Sequence, residues 1–197
     1  INPNAEYKKH KVQSKTLREV FDDYMGDRKH QLSANTQSSY ETVIEKHLKP
    51  WKDKPLSGIT RDKVAKHHAV LTLKSPTSAN KTMRVLRALF NFANGRYEDE
   101  EGSSLFPLNP VDRITHTRTW NKETRRKNTI KQTDLKIWFD AVIHLGESEN
   151  SFHKTVSEYL QFVLLTGLRR REAAGLKVND VDFKARIFTI KQTKNGE

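Results

Sequence analysis

The sequence predicts a mainly α protein: an all-helical N-terminal domain, then the front part of an α+β domain with a small antiparallel sheet. Three observations predict it. Apolar residues recur at spacings of three and four through most of the stretch from Thr16 to Thr166. Around Val181 to Thr189 the period changes to two, with "KAR" as a turn between two short runs. Between these regimes, residues 112–128 have no period and many cations.

Composition narrows the class of partner. The 197 residues carry a formal net charge of +12, with 30% charged and 35% hydrophobic residues, which describes a folded and very polar chain. The excess of positive charge favours a polyanion, with nucleic acid first and an anionic membrane surface well behind it. The cations are spread along the chain, as suits a protein that wraps its partner; the one clear acidic cluster is "EDEEG", Glu98 to Gly102. No apolar run approaches the ~20 residues that span a bilayer, and no signal peptide is visible. The absence of cysteine excludes disulfides and thiolate-ligated zinc and is compatible with a cytosolic setting. A start at Ile1 rather than Met suggests a segment of a longer protein.

Taken in order, residues 1–15 are lysine-rich and aperiodic and read as a linker or arm. "TLREVFDDYMGDR" then sets Leu17, Val20, Phe21 and Tyr24 on one helical face, with Thr16 as N-cap and Glu19 completing a capping box. A second helix, about Asn35 to Leu48, turns Tyr40, Val43, Ile44 and Leu48 inward. Its first turn, with Asn35, Thr36, Gln37 and Ser39, is polar and uncharged. It suits a phosphate contact, or simply a well-capped helix. "KPWKDKPLSGIT" is a loop, and Thr60 caps a third helix from about Arg61 to Leu73.

The fourth helix, about Ser78 to Asn94, is the most regular. Met83, Leu86, Phe90 and Ala93 form a stripe with Leu89 beside it, while Lys81, Arg84, Arg87 and Asn91 share another face that contains no acid. Cations at that spacing neutralise phosphates, and Arg or Asn reads base edges, so this face is a candidate DNA contact. Residues 16–111 thus form the helical domain, closed by "NPV". Residues 112–128, with Arg125 and Arg126, read as a basic interdomain linker lying on a polyanion.

Residues 129–197 form the second domain. "TDLKIWFDAVIHL" is helical, with Leu135, Trp138, Phe139, Val142 and Ile143 facing in. A further helix, about Ser151 to Thr166, is nearly all apolar in its second half and is expected to be buried, with Tyr159 in the core. Then come Arg169, Arg170 and Arg171, before Glu172 and a small-residue turn into Leu176. Asp180 and Asp182 stand at a strand entry and read as structural rather than as a metal pair.

"LLTGLRRREAAGLKVNDVDF" resembles the first signature box of the tyrosine recombinases, the phage integrase family: an apolar helix, Thr-Gly-x-Arg, an acid three residues on, a small-residue turn, and an Asp-apolar-Asp strand entry. "SANKTMRVLRALFNFA" with "NPV", and "NTQSSYETVIEKHLKP", resemble helices of that family's core-binding domain. The resemblance runs from about Thr16 to Glu197. It implies an N-terminal core-binding (SAM-like) domain, then the front part of an α+β catalytic domain.

By place in the box, Arg169 resembles the first catalytic arginine, which grips oxygens of the scissile phosphate. A guanidinium is permanently charged and forks to match two phosphate oxygens. Glu172, one turn later, is placed to brace it. Lys194, in "KQTKNGE", resembles the hairpin lysine that protonates the leaving 5′ oxygen, with Lys191 as a nearby competitor. The family also needs His-x-x-Arg and a late tyrosine nucleophile. No His here is followed by Arg three residues on, and Tyr7, Tyr24, Tyr40, Tyr97 and Tyr159 all precede Arg169. The resemblance therefore implies a truncated catalytic domain with no nucleophile in this chain and no activity of its own. It further implies a parent enzyme that cuts and rejoins double-stranded DNA at an attachment or crossover site through a 3′-phosphotyrosine. No metal and no cofactor are needed, the full-length protein assembles as a tetramer on DNA, and the setting is the bacterial cytoplasm, encoded by a prophage or other mobile element.

Two other readings use the same residues. One is a non-catalytic DNA-binding protein, such as a decayed prophage integrase or an architectural factor. The other is an RNA-binding module, which would show exposed aromatic residues on a sheet; the expected glycine-aromatic runs are absent.

Overall fold

The structure is a computed structural model and describes residues 3–124 and 129–191. It divides into two compact units, residues 1–125 and 126–197. The described residues are mainly helical, with one two-stranded antiparallel sheet near the C-terminus. None of the described helices is long and apolar enough to cross a membrane.

The first unit is built on helices α1 (Pro3–Gln13), α2 (Leu17–Arg28), α3 (Ala34–Thr42), α4 (Arg61–Lys74), α5 (Pro76–Arg96) and α6 (Asp112–His116). The predicted capping box starts α2: Thr16 Oγ1 accepts from Glu19 N at 3.2 Å, and Glu19 Oε2 accepts from Thr16 N at 2.7 Å. Leu17, Val20 and Phe21 are buried, as their spacing predicts, and Tyr24 packs at the margin of the same core. After α3 the chain widens into a π turn, Val43–His47, closed by Leu48 N donating to Val43 O at 2.9 Å. The wider turn stacks Leu48 over Val43, so that both are buried with Ile44. Helix α5 carries the centre of the core: Met83, Leu86, Leu89, Phe90 and Ala93 are all buried. Burial of such side chains stabilises by about 1.5–3 kcal/mol each for the larger ones.

Two segments differ from expectation. Pro3–Gln13, within the predicted arm, is helical. The described part of the predicted linker, 112–124, is not extended and free; it is a strap folded onto the first unit. Ile114 of α6 is fully buried and joins the main core, with Trp120 packed against it. Two apolar residues in an otherwise polar stretch show no period, yet they suffice to seat it.

The second unit holds α7 (Leu135–Gly146), α8 (Ser151–Thr166), α9 (Arg170–Gly175), β1 (Val181–Asp182) and β2 (Ile187–Phe188). Helices α7 and α8 lie against each other closely enough that a Cβ on Gly146 would stand 2.9 Å from Ser157 Oγ. That hydroxyl donates to Val142 O at 2.7 Å. Gly167 ends α8 in the left-handed conformation (φ 66°), where a side chain is strained, and this explains the glycine of the Thr-Gly pair. The strands pair Val181 with Phe188 and Asp182 with Ile187. Their turn is held by Asp182 Oδ1, which accepts from Lys184 N and Ala185 N, both at 2.9 Å.

The predicted burial of α7 and α8 is a correction. Among the described residues of this unit, only Val142, Ser157 and Ala173 are buried. Leu135, Ile143 and Leu165 are 39%, 47% and 75% exposed, and Tyr159 is half-buried. Among the described residues of this unit, three helices and a hairpin have too few layers to cover both sides of α7 and α8.

Candidate functional site

The arginine run is positioned by three local devices. Gly167 turns the chain out of α8, Arg169 takes extended geometry as the N-cap of α9, and Glu172 reaches back from the first turn. Its Oε2 accepts from Arg169 N at 3.0 Å, and its Oε1 accepts from the guanidinium Nη1 at 2.7 Å. The Glu172 side chain is 11% exposed, whereas that of Arg169 is 57% exposed. The carboxylate is thus rooted while the cation stands open. Arg170 and Arg171 are exposed, and Tyr159 Oη donates to Arg170 O at 2.7 Å.

A cleft of about 330 Å³ adjoins this pair, lined by Arg171, Glu172, Lys177, Asp180, Thr189 and Lys191 among others. Lys191 forms an ion pair with Asp180, whose other carboxylate oxygen accepts from Lys177 N at 3.1 Å. Hydrogen bonding from Lys191, then from the Lys177 backbone, holds the Asp180 carboxyl below the ordinary aspartate range. Asp180 O also accepts from Thr189 N at 2.9 Å, so one residue ties the entry and exit of the hairpin. This is the structural role read for Asp180 from its place at a strand entry. Lys194, Arg125 and Arg126 lie outside the described residues.

The α3 and α5 candidates sit in the first unit. Ser33 caps α3, accepting from Thr36 N at 3.2 Å. Asn35 is exposed at the helix start, while Thr36, Gln37 and Ser39 are partly covered. The Gln37 amide donates to Lys29 O and Leu32 O, both at 2.9 Å, and is committed to its own chain. On α5, Lys81 is exposed, but the other two candidate cations, Arg84 and Arg87, meet the strap. Arg84 Nη2 lies 3.0 Å from Glu123 Oε1, and Arg87 Nη2 lies 3.7 Å from Asp112 Oδ1 and bonds Thr115 Oγ1. Both guanidinium groups stand over Trp120, at 5.9 and 5.1 Å from the ring centroid. Asn91 Oδ1 accepts from Asn109 Nδ2 at 2.7 Å. The face that contains no acid along α5 therefore gains two acids from residues 112–123. Spacing on one helix cannot reveal charges delivered by another segment.

Sequence reasoning also missed the polar hub beneath this face. Asn80 is 1% exposed and His68 4%. Asn80 Nδ2 donates to Asn121 O at 2.9 Å and to Glu123 Oε1 at 2.8 Å, while Asn80 Oδ1 accepts from Asn121 N at 3.1 Å. The signal was present as a lone amide on the apolar stripe, three residues before Met83.

With this geometry in view, comparison with known proteins defines the class. Residues 129–197 match the phage integrase family model, so the chain carries a domain of the tyrosine recombinase class there. The chain is also 28% identical over 218 aligned positions to "Prophage integrase IntF" of Escherichia coli (strain K12). That match covers 98% of this chain and 44% of the relative, so the chain spans less than half the relative's length. No solved structure matches the chain.

Proposed function

We propose that this chain is the DNA-grasping front part of a site-specific tyrosine recombinase of a prophage or similar element. Residues 16–111 act as the helical core-binding domain and residues 129–197 as the first part of the catalytic domain. The observation that carries the reading is the rooted Glu172 holding an open Arg169 two residues past the Gly167 turn, inside the matched family segment.

Arg169 offers two N–H groups and a permanent charge to the non-bridging oxygens of the scissile phosphate. Negative charge grows on those oxygens when a nucleophile adds to phosphorus, so the cation binds the transition state more strongly than the ground state. Glu172 aims the guanidinium before substrate arrives, which removes an orientation cost. A tyrosine oxygen that has given up its phenolic proton then forms the phosphorus–oxygen bond as the bond to the 5′ oxygen breaks, and Lys194 gives that oxygen its proton. The bond energy stays in the 3′-phosphotyrosine, so rejoining needs no nucleotide. No tyrosine follows Arg169 within residues 1–197. These residues by themselves are expected to bind duplex DNA without cutting it, and the parent works as a multimer on DNA in the bacterial cytoplasm.

Arg169→Ala in the parent protein tests this. The expected result is an unchanged thermal midpoint, retained duplex binding and loss of the covalent protein–DNA adduct by about 10²–10³-fold or more. Cleavage at the parental rate by the Ala variant defeats the catalytic assignment.

A further inference from the structure

Two donors in the first unit converge on one oxygen. Asn80 Nδ2 at 2.8 Å and Arg84 Nη2 at 3.0 Å both meet Glu123 Oε1. The amide is buried, and its orientation is fixed because it donates to Asn121 O while accepting from Asn121 N. The guanidinium is 58% exposed and stands over the Trp120 ring. Glu123 itself is 38% exposed and stands at the solvent side of this pair. Bonding from Asn80, then from Arg84, holds its carboxyl below the ordinary glutamate range, as expected of an anion in a seat built for one.

We propose that this seat is a binding site for a DNA backbone phosphate, and that Glu123 is an internal placeholder which the phosphate displaces. The inference rests on the DNA-binding reading given above. A carboxylate and a phosphodiester are both monoanions that present two oxygens to N–H donors. The seat lies on the face of α5 that also carries exposed Lys81 and the Arg87 guanidinium, so a backbone tracking that face meets further cations. An exposed ion pair is held weakly enough to exchange for a polyanion.

Fluorescence anisotropy with a duplex of arbitrary sequence, titrated over a range of salt, tests this on the whole chain. Thermal melts verify that each variant is folded. Glu123→Gln keeps the shape and removes the competing charge, so duplex affinity is expected to rise by about two- to fivefold, the worth of an exposed ion pair. The same substitution in an Arg84→Ala background is expected to give no gain, because the seat has lost its second donor. Equal or weaker binding by Glu123→Gln overturns the proposal. So does a gain of the same size without Arg84, which marks a general charge effect. A wild-type chain that shows no salt-dependent duplex binding overturns the functional reading and this inference together, whereas wild-type binding with no response to Glu123→Gln overturns this inference alone.

Discussion

Glu172 holds Arg169 at two points: one carboxylate oxygen takes the Arg169 backbone N–H at 3.0 Å and the other takes the guanidinium Nη1 at 2.7 Å. The first bond satisfies an otherwise orphaned donor at the start of α9. The second fixes the direction of a cation that is otherwise exposed. A single acid thus does a folding task and, on the function proposed here, a positioning task.

The two tasks separate in Glu172→Gln. A glutamine keeps an oxygen for the backbone N–H but loses the charge that aims the guanidinium. In the parent protein the thermal midpoint is expected to change little. Cleavage should fall about ten- to a hundredfold, less than the ~10²–10³ that loss of a direct transition-state donor costs. Adduct formation at the parental rate would show that Glu172 serves α9 alone.

Asn80 is expected to be the costliest polar residue to truncate in the first unit. Asn80→Ala leaves Asn121 N, Asn121 O and Glu123 without their shared partner, at a cost of about 1–3 kcal/mol in urea unfolding. Asn80→Asp should be worse, since it sets a buried carboxylate against Glu123 and cannot donate to Asn121 O. A loss below that range for Asn80→Ala would mean that apolar packing of Ile114 and Trp120 holds the strap without the hub.

Acid should loosen the start of α2. The Thr16 backbone bond, then the Thr16 hydroxyl bond, lower the Glu19 carboxyl from its usual value. A depressed carboxylate contributes stability that is present above its unfolded value, about 4.3, and is lost as pH falls through the folded value. Thermal midpoints of the wild type should therefore drop below about pH 4 more steeply than those of Glu19→Gln. Parallel pH curves for the two proteins would refute this contribution.

The amphipathic helices of the first unit were legible because each buries one stripe against its neighbours, and that stripe is written at spacings of three and four. Leu17, Val20 and Phe21, and the α5 series from Met83 to Ala93, all lie where the period puts them. The Thr16–Glu19 box was legible because capping is local chemistry within four residues. The helical arm Pro3–Gln13 was not, since its lysine-rich sequence shows no apolar period. In the second unit the same periods overstated burial, because a pattern reports which side of a helix is apolar and not how many layers cover it.

The pairing at Arg169 was legible as an acid three residues on, placed to brace it, and the structure joins the two. The surroundings of Arg84 and Arg87 were not. Their partners Glu123 and Asp112 lie 39 and 25 residues along the chain, on a strap seated by Ile114, Trp120 and the Asn80 amide. By itself the sequence determined the amphipathic helices of the first unit from α2 to α5, the Thr16 cap and the pairing of Glu172 with Arg169, because those depend on neighbours one or two turns away. Only the tertiary structure decided which cations of α5 stand open and which are held by carboxylates, because long-range charge pairing follows from where the chain packs and not from its local order.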